Sequence, residues 1–501
     1  MSGLPDLPAL GAPPRIGPAL LRVALALIVV YGAIGAGLSW WQVVEAERLT
    51  SDPGNPLLLA AEREGRRGRI VDARGVVLAE SVPGGDGSWT RRYPHPEAAP
   101  ILGYFSPDFG SAGLERSFAA ELLGLRSLAP GGDLLRKLRR DLYDPQDVQL
   151  SLDVRLQRAA VALLRGKRGA IVAIEPASGR ILALASTPSF DPNRIVDPDT
   201  GAAYFADLLD RPAEASALLD RATMGRYTPG SVLKIATAVA GLGSGAITPQ
   251  TVYPEQPAEE RTGFLVEGFR VRDGHHPQTG QRTLDLTGAI EVSCNIWFAH
   301  AGLDIGGERF LAWGERMGFG AAIPFDVPTA ASTLDGGDGF VDDVELANAA
   351  YGQSETFVTP LQMALVAAIV ADRGTLMRPH VVDELRSADG RVQTIAPEVW
   401  RRVLDAGQAE TIARAMQQAV EGRLGRRFAG AAKVPGVPTA GKSGTAELGG
   451  EREPHAWFIG FAPVEAPRIA VAVIVENGGA GSASAVPMGG ELMAAWLKLA
   501  P

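Results

Sequence analysis

Nineteen consecutive residues, Val23 to Trp41, carry no charge: VALALIVVYGAIGAGLSWW. As a helix at 1.5 Å per residue that run spans roughly 29 Å, about one bilayer hydrocarbon core. It fixes the compartment before anything else about the fold. Arg15 and Arg22 precede it, and Glu45 and Glu47 follow it. The positive-inside bias therefore places the N-terminus in the cytoplasm and the remaining chain outside, with Trp40 and Trp41 at the outer interface. A cleaved signal peptide would have a shorter apolar core and a small-residue cleavage site, whereas this run ends in Trp-Trp-Gln. The expectation is a cytoplasmic tail over 1–18, a transmembrane helix over 19–41, and a single-pass protein of the cell membrane with a large extracytoplasmic part.

The outer part changes texture once. RGRIVDARGVVLAES, residues 67–81, has two short β-like runs around Ala73-Arg74-Gly75, a hairpin signal. Residues 82–146 are rich in Gly and Pro with short helical pieces such as Leu114 to Leu123, so 42–146 reads as a modest membrane-proximal module. From Asp147 the chain reads as strand, amphipathic helix, then two β runs around Ala177-Ser178-Gly179. Helical stretches dominate from about 212 to 425. AWFIGFAP (456–463) and RIAVAVIVE (468–476) return to strands, and Glu491 to Leu499 fits a closing helix. Strands at both ends with helices between predict one α+β domain, 147–501, whose sheet joins the two ends of the region.

Charge removes some functions. The net charge is −9, which argues against a nucleic-acid partner. Cys294 is the single cysteine, so no internal disulfide forms, and a site built from cysteines is excluded. Only six of the 48 basic residues are Lys. Arg does not give up its proton, whereas a buried Lys can. Lys234 sits inside an apolar helical pattern, YTPGSVLKIATAVAGL, three residues after Ser231. Pro229 and Gly230 place Ser231 at a helix start, where the helix dipole favours a developing oxyanion. A Lys desolvated on the same face can take the Ser proton. Read alone, the pair is a weak signal, and a capping Ser beside a snorkelling Lys is the favoured reading.

Two further motifs follow. Ser293-Cys294-Asn295 lies in an apolar stretch where a buried hydroxyl and amide need partners. The hydroxyl can relay a proton to a leaving amine. Lys442-Ser443-Gly444-Thr445 offers a cation and two hydroxyls to a carboxylate. Gly441 and Gly444 interrupt its β-like run, a pattern expected where a ligand approaches the backbone closely. In isolation these are a kink and a surface turn. Together, in the order Ser-x-x-Lys, Ser-x-Asn, Lys-[Ser/Thr]-Gly, they are the set found in penicillin-binding proteins and serine β-lactamases.

The chain resembles the class B penicillin-binding proteins, the monofunctional D,D-transpeptidases of peptidoglycan synthesis in division or elongation. The likeness extends to RGRIVDARGVVLAES, GSAGLERSF (110–118), LSLDVRLQRAA, AIVAIEPASGRILALAS and YGQSETFVTPLQMA (351–364). It covers roughly residues 20–499, and no glycosyltransferase domain fits before Asp147. Cys294 at the centre of the second motif, and Ser443 where Thr is commoner, are minor departures. The resemblance implies an α+β fold: an anchor, a small pedestal or dimerisation-like module, then a transpeptidase domain with an antiparallel sheet flanked by helices. It implies that Ser231 attacks the penultimate D-Ala carbonyl of a stem peptide ending in D-Ala-D-Ala, and that Lys234 takes its proton. Ser293 passes a proton to the departing D-Ala, with Asn295 orienting Lys234. Lys442 stabilises charge, and Ser443, Gly444 and Thr445 form the wall that holds the terminal carboxylate. The backbone N–H groups of Ser231 and Thr445 would form the oxyanion hole. Covalent inhibition by β-lactams is implied, as are a membrane glycosyltransferase and division or elongation proteins as partners, with no cofactor and no metal. His275-His276 reads as a solvated loop pair, and His300 and His455 as structural. A β-lactamase or β-lactam sensor with the same motifs, and a catalytically idle scaffold, remain as alternatives.

Overall fold

The computed structural model describes residues 16–41, 45, 66–84, 88–125, 144–273, 276, 279 and 282–499. The chain divides into two units, 1–63 and 64–501. In the first, an α-helix runs over Ile16–Ser39, and its Leu20–Ser39 portion is long and apolar enough to cross a membrane.

The second unit is built around a five-stranded antiparallel sheet. Its order is Ala440–Ala446, His455–Ala462, Ile469–Val475, Gly169–Ile174, Ile181–Thr187. The two ends of the catalytic region therefore lie side by side, as the α+β reading expects: Ala470 pairs with Ile174 and Val475 with Gly169. Ile469–Val475 reads IAVAVIV and is buried on both faces, which is why it is apolar throughout rather than alternating. Successive side chains still point to opposite sides. Ala470, Ala472 and Ile474 join a core shared with the helix Pro360–Ala371. Val471, Val473 and Val475 join a second core with Val154–Leu163 and Ala485–Leu499. All twelve residues of Pro360–Ala371 are buried, the mark of a central helix. Thr359 caps it by accepting from Gln362 N, and Pro360 occupies a first-turn position where no N–H is needed. Each fully buried Val, Leu or Ile in these layers contributes roughly 1.5–3 kcal/mol.

The membrane-proximal strands belong to a second sheet, and it crosses the boundary the sequence suggests at 147. Its order is Val392–Thr394, Val382–Arg386, Asp147–Leu150, Ile70–Val71, Val77–Pro83, Trp89–Arg92. Asp147–Leu150 and the 382–394 hairpin, all beyond residue 146, thus complete this sheet. Under this sheet Glu115 is buried between Arg67 (Nε to Oε2 3.0 Å) and Arg91 (Nε to Oε1 2.6 Å). The closing helix begins at Ala485, six residues before the expected Glu491.

Candidate active site

Ser231 lies on a single 3-10 turn, Gly230–Val232, which feeds the α-helix Lys234–Ser244. It is not the first residue of the α-helix; the tight turn presents it and leaves Lys234 to begin the helix, fully buried. The turn is clamped by glycines. Gly230 N donates to Gly352 O at 2.8 Å, and a Cβ on Gly352 (φ +93°) would lie 1.9 Å from Gly230 O. No larger residue fits there. On the other side a Cβ on Gly444 would lie 3.0 Å from Pro229 O and from Val232 Cγ1. The glycines of the third motif therefore serve close packing by the protein itself: Gly444 against the serine turn, and Gly441 against the Phe458 ring, 2.5 Å from a Cβ there. The close approach that the sequence assigned to a ligand is internal.

The second motif joins two helices, Leu286–Val292 and Asn295–Ile305. Ser293 takes a left-handed conformation (φ 64°, ψ 40°) as C-cap of the first. A non-glycine residue held there costs about 1 kcal/mol or more. What that conformation delivers is a hydroxyl between two lysines. Lys442 Nζ is 2.7 Å from Ser293 Oγ and 3.0 Å from Ser443 O. Lys234 Nζ is 3.2 Å from Ser293 Oγ, and donates to Ser293 O and Asn295 Oδ1, each at 2.6 Å. Ser231, Ser293, Asn295, Ser443 and Thr445 line one cleft of about 670 Å³. Lys442 lies behind it at 1% exposure. Thr445 Oγ1 accepts from Gly481 N at 3.2 Å.

Burial lowers both lysines. It brings Lys234 down to about 8, against the opposing pull of the Asp273 carboxylate. Lys442 falls well below its ordinary value, through burial and then the nearby Lys234 charge. Two ammonium groups sharing one hydroxyl in a desolvated site repel, so the pair favours a single charge.

Asp273 is the residue that sequence reasoning missed. It accepts from Asn295 N (2.6 Å) and Ile296 N (3.4 Å), anchoring the helix that carries Asn295. Burial opposes its ionisation, yet His276 and Lys234 hold its carboxyl below the usual range. His276 is likewise not a solvated loop residue. It is 3% exposed, with Nε2 3.4 Å from Asp273 Oδ2 and neither ring nitrogen in a hydrogen bond among the described residues. His275 lies outside the described residues. Donor atoms of Glu260, His276 and Cys294 lie within 4.8 Å of one another. A carboxylate, an imidazole and a cysteine sulfur so grouped are donor types that a divalent cation such as zinc accepts once the thiol loses its proton. Counting cysteines alone did not reveal this, because one cysteine is enough when the fold adds the other donors. In the cluster Cys294 is buried, and burial followed by the Asp273 charge pushes its thiol well up. His300 stacks on Tyr253 and Phe264, and His455 accepts from Asn477 N at 3.1 Å and meets the Tyr227 ring edge-on.

The nucleophile segment has a second support. Tyr227 donates its hydroxyl to Glu476 Oε1 at 2.8 Å, where Arg221 Nε also bonds at 2.7 Å, and Trp457 Nε1 donates to Thr228 O at 3.0 Å. Tyr227 also pairs with Val358 through both backbone groups, at 2.9 Å each.

A serine on a glycine-clamped turn, two buried lysines meeting on a second hydroxyl and a strand forming the cleft wall define a serine acyl-transfer class. Residues 169–494 match the penicillin binding protein transpeptidase domain, and 67–133 match the penicillin binding protein A dimerisation domain. The chain belongs to the penicillin-binding protein transpeptidase family, and within it to the class B group. It is 36% identical to the peptidoglycan D,D-transpeptidase PbpA of Mycolicibacterium smegmatis, over 96% of this chain and 99% of that one. It is 31% identical to MrdA of Acinetobacter baumannii, over 79% and 64% of the respective chains. Penicillin-binding protein A of M. tuberculosis, solved as a ceftriaxone acyl-enzyme, superimposes with a TM-score of 0.76 at 31% identity, covering 87% of this chain and 99% of that one.

Proposed function

We propose that this chain is a peptidoglycan D,D-transpeptidase working through a serine acyl-enzyme. The observation that carries this reading is the meeting of Lys234 and Lys442 on Ser293 Oγ in the cleft lined by Ser231. In the reading, the terminal carboxylate of a D-Ala-D-Ala peptide binds beside Lys442, Ser443 and Thr445 and draws the pair's single positive charge toward Lys442. Lys234 is then neutral. Ser231 Oγ attacks the penultimate carbonyl carbon and its proton passes to Lys234. The backbone N–H groups of Ser231 and Thr445 hold the oxyanion. Ser293 conveys the proton to the departing D-Ala amine as the C–N bond breaks, leaving an ester on Ser231. The amine of a second stem peptide attacks that ester, forms the cross-link and returns the hydroxyl. Asn295 holds Lys234 in place.

The anchor is read as single-pass with the N-terminus cytoplasmic, from Arg15 and Arg22 before it and Glu45 and Glu47 after it. Residues 42–146, completed by the strands at 147–150 and 382–394, serve as pedestal, and the rest of 147–501 as transpeptidase. The resemblance to class B enzymes supports work beside a membrane glycosyltransferase and other division or elongation proteins. The test is labelling of the full chain in detergent by a fluorescent penicillin. Stable labelling that disappears in Ser231→Ala, with an unchanged melt, is expected. Labelling that persists in Ser231→Ala removes the nucleophile, and rapid turnover of the label overturns the transpeptidase in favour of a lactamase.

A further inference from the structure

The cleft carries more cationic charge than the reaction above uses. Besides the motif residues it is lined by Arg270, Arg272 and Arg427, with Phe269 and Phe428 beside them. They come from two stretches far apart in the sequence. Arg270 lies on the strand Phe269–Val271, Arg272 follows it, and Arg427 lies on the short helix Arg426–Ala429. All three are exposed. Arg272 is fixed to the second motif, since its carbonyl accepts from Asn295 Nδ2 at 3.2 Å. Its guanidinium makes no hydrogen bond or ion pair among the described residues. Arg270 donates to Thr262 O at 2.6 Å, which leaves its other donors for the cleft. The Arg427 guanidinium stacks on Phe428 at 4.3 Å.

The cleft has two carboxylates of its own, Asp273 and Glu447. Asp273 is committed to the helix N–H groups, His276 and Lys234. A chain of net charge −9 thus presents three arginines around its nucleophile. Like charges gathered on a low-dielectric wall repel one another and attract an anion, and guanidinium is the group suited to a planar carboxylate. The terminal carboxylate of the substrate already has Lys442, Ser443 and Thr445.

We propose that these arginines bind a second, free carboxylate, carried by the stem peptide upstream of its D-Ala-D-Ala end, with Arg272 as the principal contact and Arg270 beside it. The proposal rests on the transpeptidase reading. It makes the enzyme selective for stem peptides whose third residue keeps an ionised side-chain carboxylate over those in which it is a carboxamide or is absent.

The test uses the full chain in detergent and two synthetic peptides ending in D-Ala-D-Ala, identical except for a free carboxylate or a carboxamide on the third residue. The readout is protection: the peptide concentration that halves the rate of labelling by fluorescent penicillin, which registers binding whether or not the peptide turns over. The carboxylate peptide should protect at about one-tenth the concentration of the carboxamide. That ratio should shrink as salt rises, and fall to within about twofold in Arg272→Gln and in the Arg270→Gln/Arg272→Gln pair. Equal protection by the two peptides, protection by neither, or a ratio unchanged in the double variant overturns the proposal. Failure of penicillin itself to label Ser231 would instead overturn the transpeptidase reading.

Discussion

Replacing Lys234 by Arg separates a proton acceptor from a positive charge. Burial brings Lys234 to about 8, so about one-tenth of it is neutral at pH 7 and about nine-tenths at pH 9. An Arg at the same place, with its pKa above about 12, is neutral in roughly one molecule in 10⁵ or fewer at pH 7. A positioned general base is worth about 10²–10⁴ in rate. The second-order acylation constant with a β-lactam should therefore drop about 10³-fold in Lys234→Arg. Lys442→Arg keeps a cation for the carboxylate and should lose only about 10- to 100-fold, through poorer geometry at a residue 1% exposed. The sign of the pH dependence follows from the depressed pKa. The neutral base forms as pH rises through about 8, so the wild-type constant should climb about tenfold from pH 7 to pH 9. In Lys234→Arg that rise should be absent, which distinguishes a lost base from a disturbed pocket. Thermal melts of both variants check folding. A larger loss in Lys442→Arg, or a retained rise in Lys234→Arg, refutes the assignment and makes Lys442 the proton acceptor.

Gly352→Ala forces a Cβ toward Gly230 O in a left-handed backbone, so the serine turn has to shift. Acylation should fall more than about tenfold, measured by penicillin labelling against a thermal melt; labelling at the wild-type rate would show that the turn does not position Ser231. Glu115→Ala leaves Arg67 and Arg91 buried without their shared carboxylate, and should cost about 3–5 kcal/mol in the membrane-proximal module. Denaturant unfolding measures it, and a loss under about 1 kcal/mol would mean water reaches those guanidinium groups. Deleting residues 1–63 should release a soluble protein that still labels, since 64–501 is a unit of its own. Persistent membrane association of that fragment in a flotation assay would reveal a second contact.

What the sequence made legible was chemistry that depends on residue identity. Ser231, Lys234, Ser293, Asn295 and Lys442 stand out because a nucleophile, a relay and a titratable amine have few substitutes. Asp273 does not stand out. It is one acid among many in a turn, and its role comes from a helix N-terminus 22 residues later in the chain, brought to it only by folding. The same holds for His276, whose neighbours suggest a polar loop and whose burial comes from packing. Gly444 was correctly marked as a point of close approach, but period-2 reasoning cannot name what approaches. Pro487 hid the start of the last helix: a proline reads as a breaker, yet at the third residue of Ala485–Leu499 it stands in the first turn, where no intrahelical N–H is required. The boundary expected at 147 rests on a similarly local signal. Composition changes there, while strand pairing, which is non-local, runs through it.

That pairing decides what can be inherited or exchanged as a piece. Ile70 pairs with Val148, and Leu150 pairs with Val382. That sheet is therefore assembled from three stretches of chain, two of which lie beyond residue 146. A recombination that joined this chain at residue 147 to a foreign one would import foreign 147–150 and 382–394 strands, with their own register and edge. Half the sheet would come from each parent. A workable hybrid has to carry those two segments along with the 70–92 strands, or replace the whole of 64–501 at once.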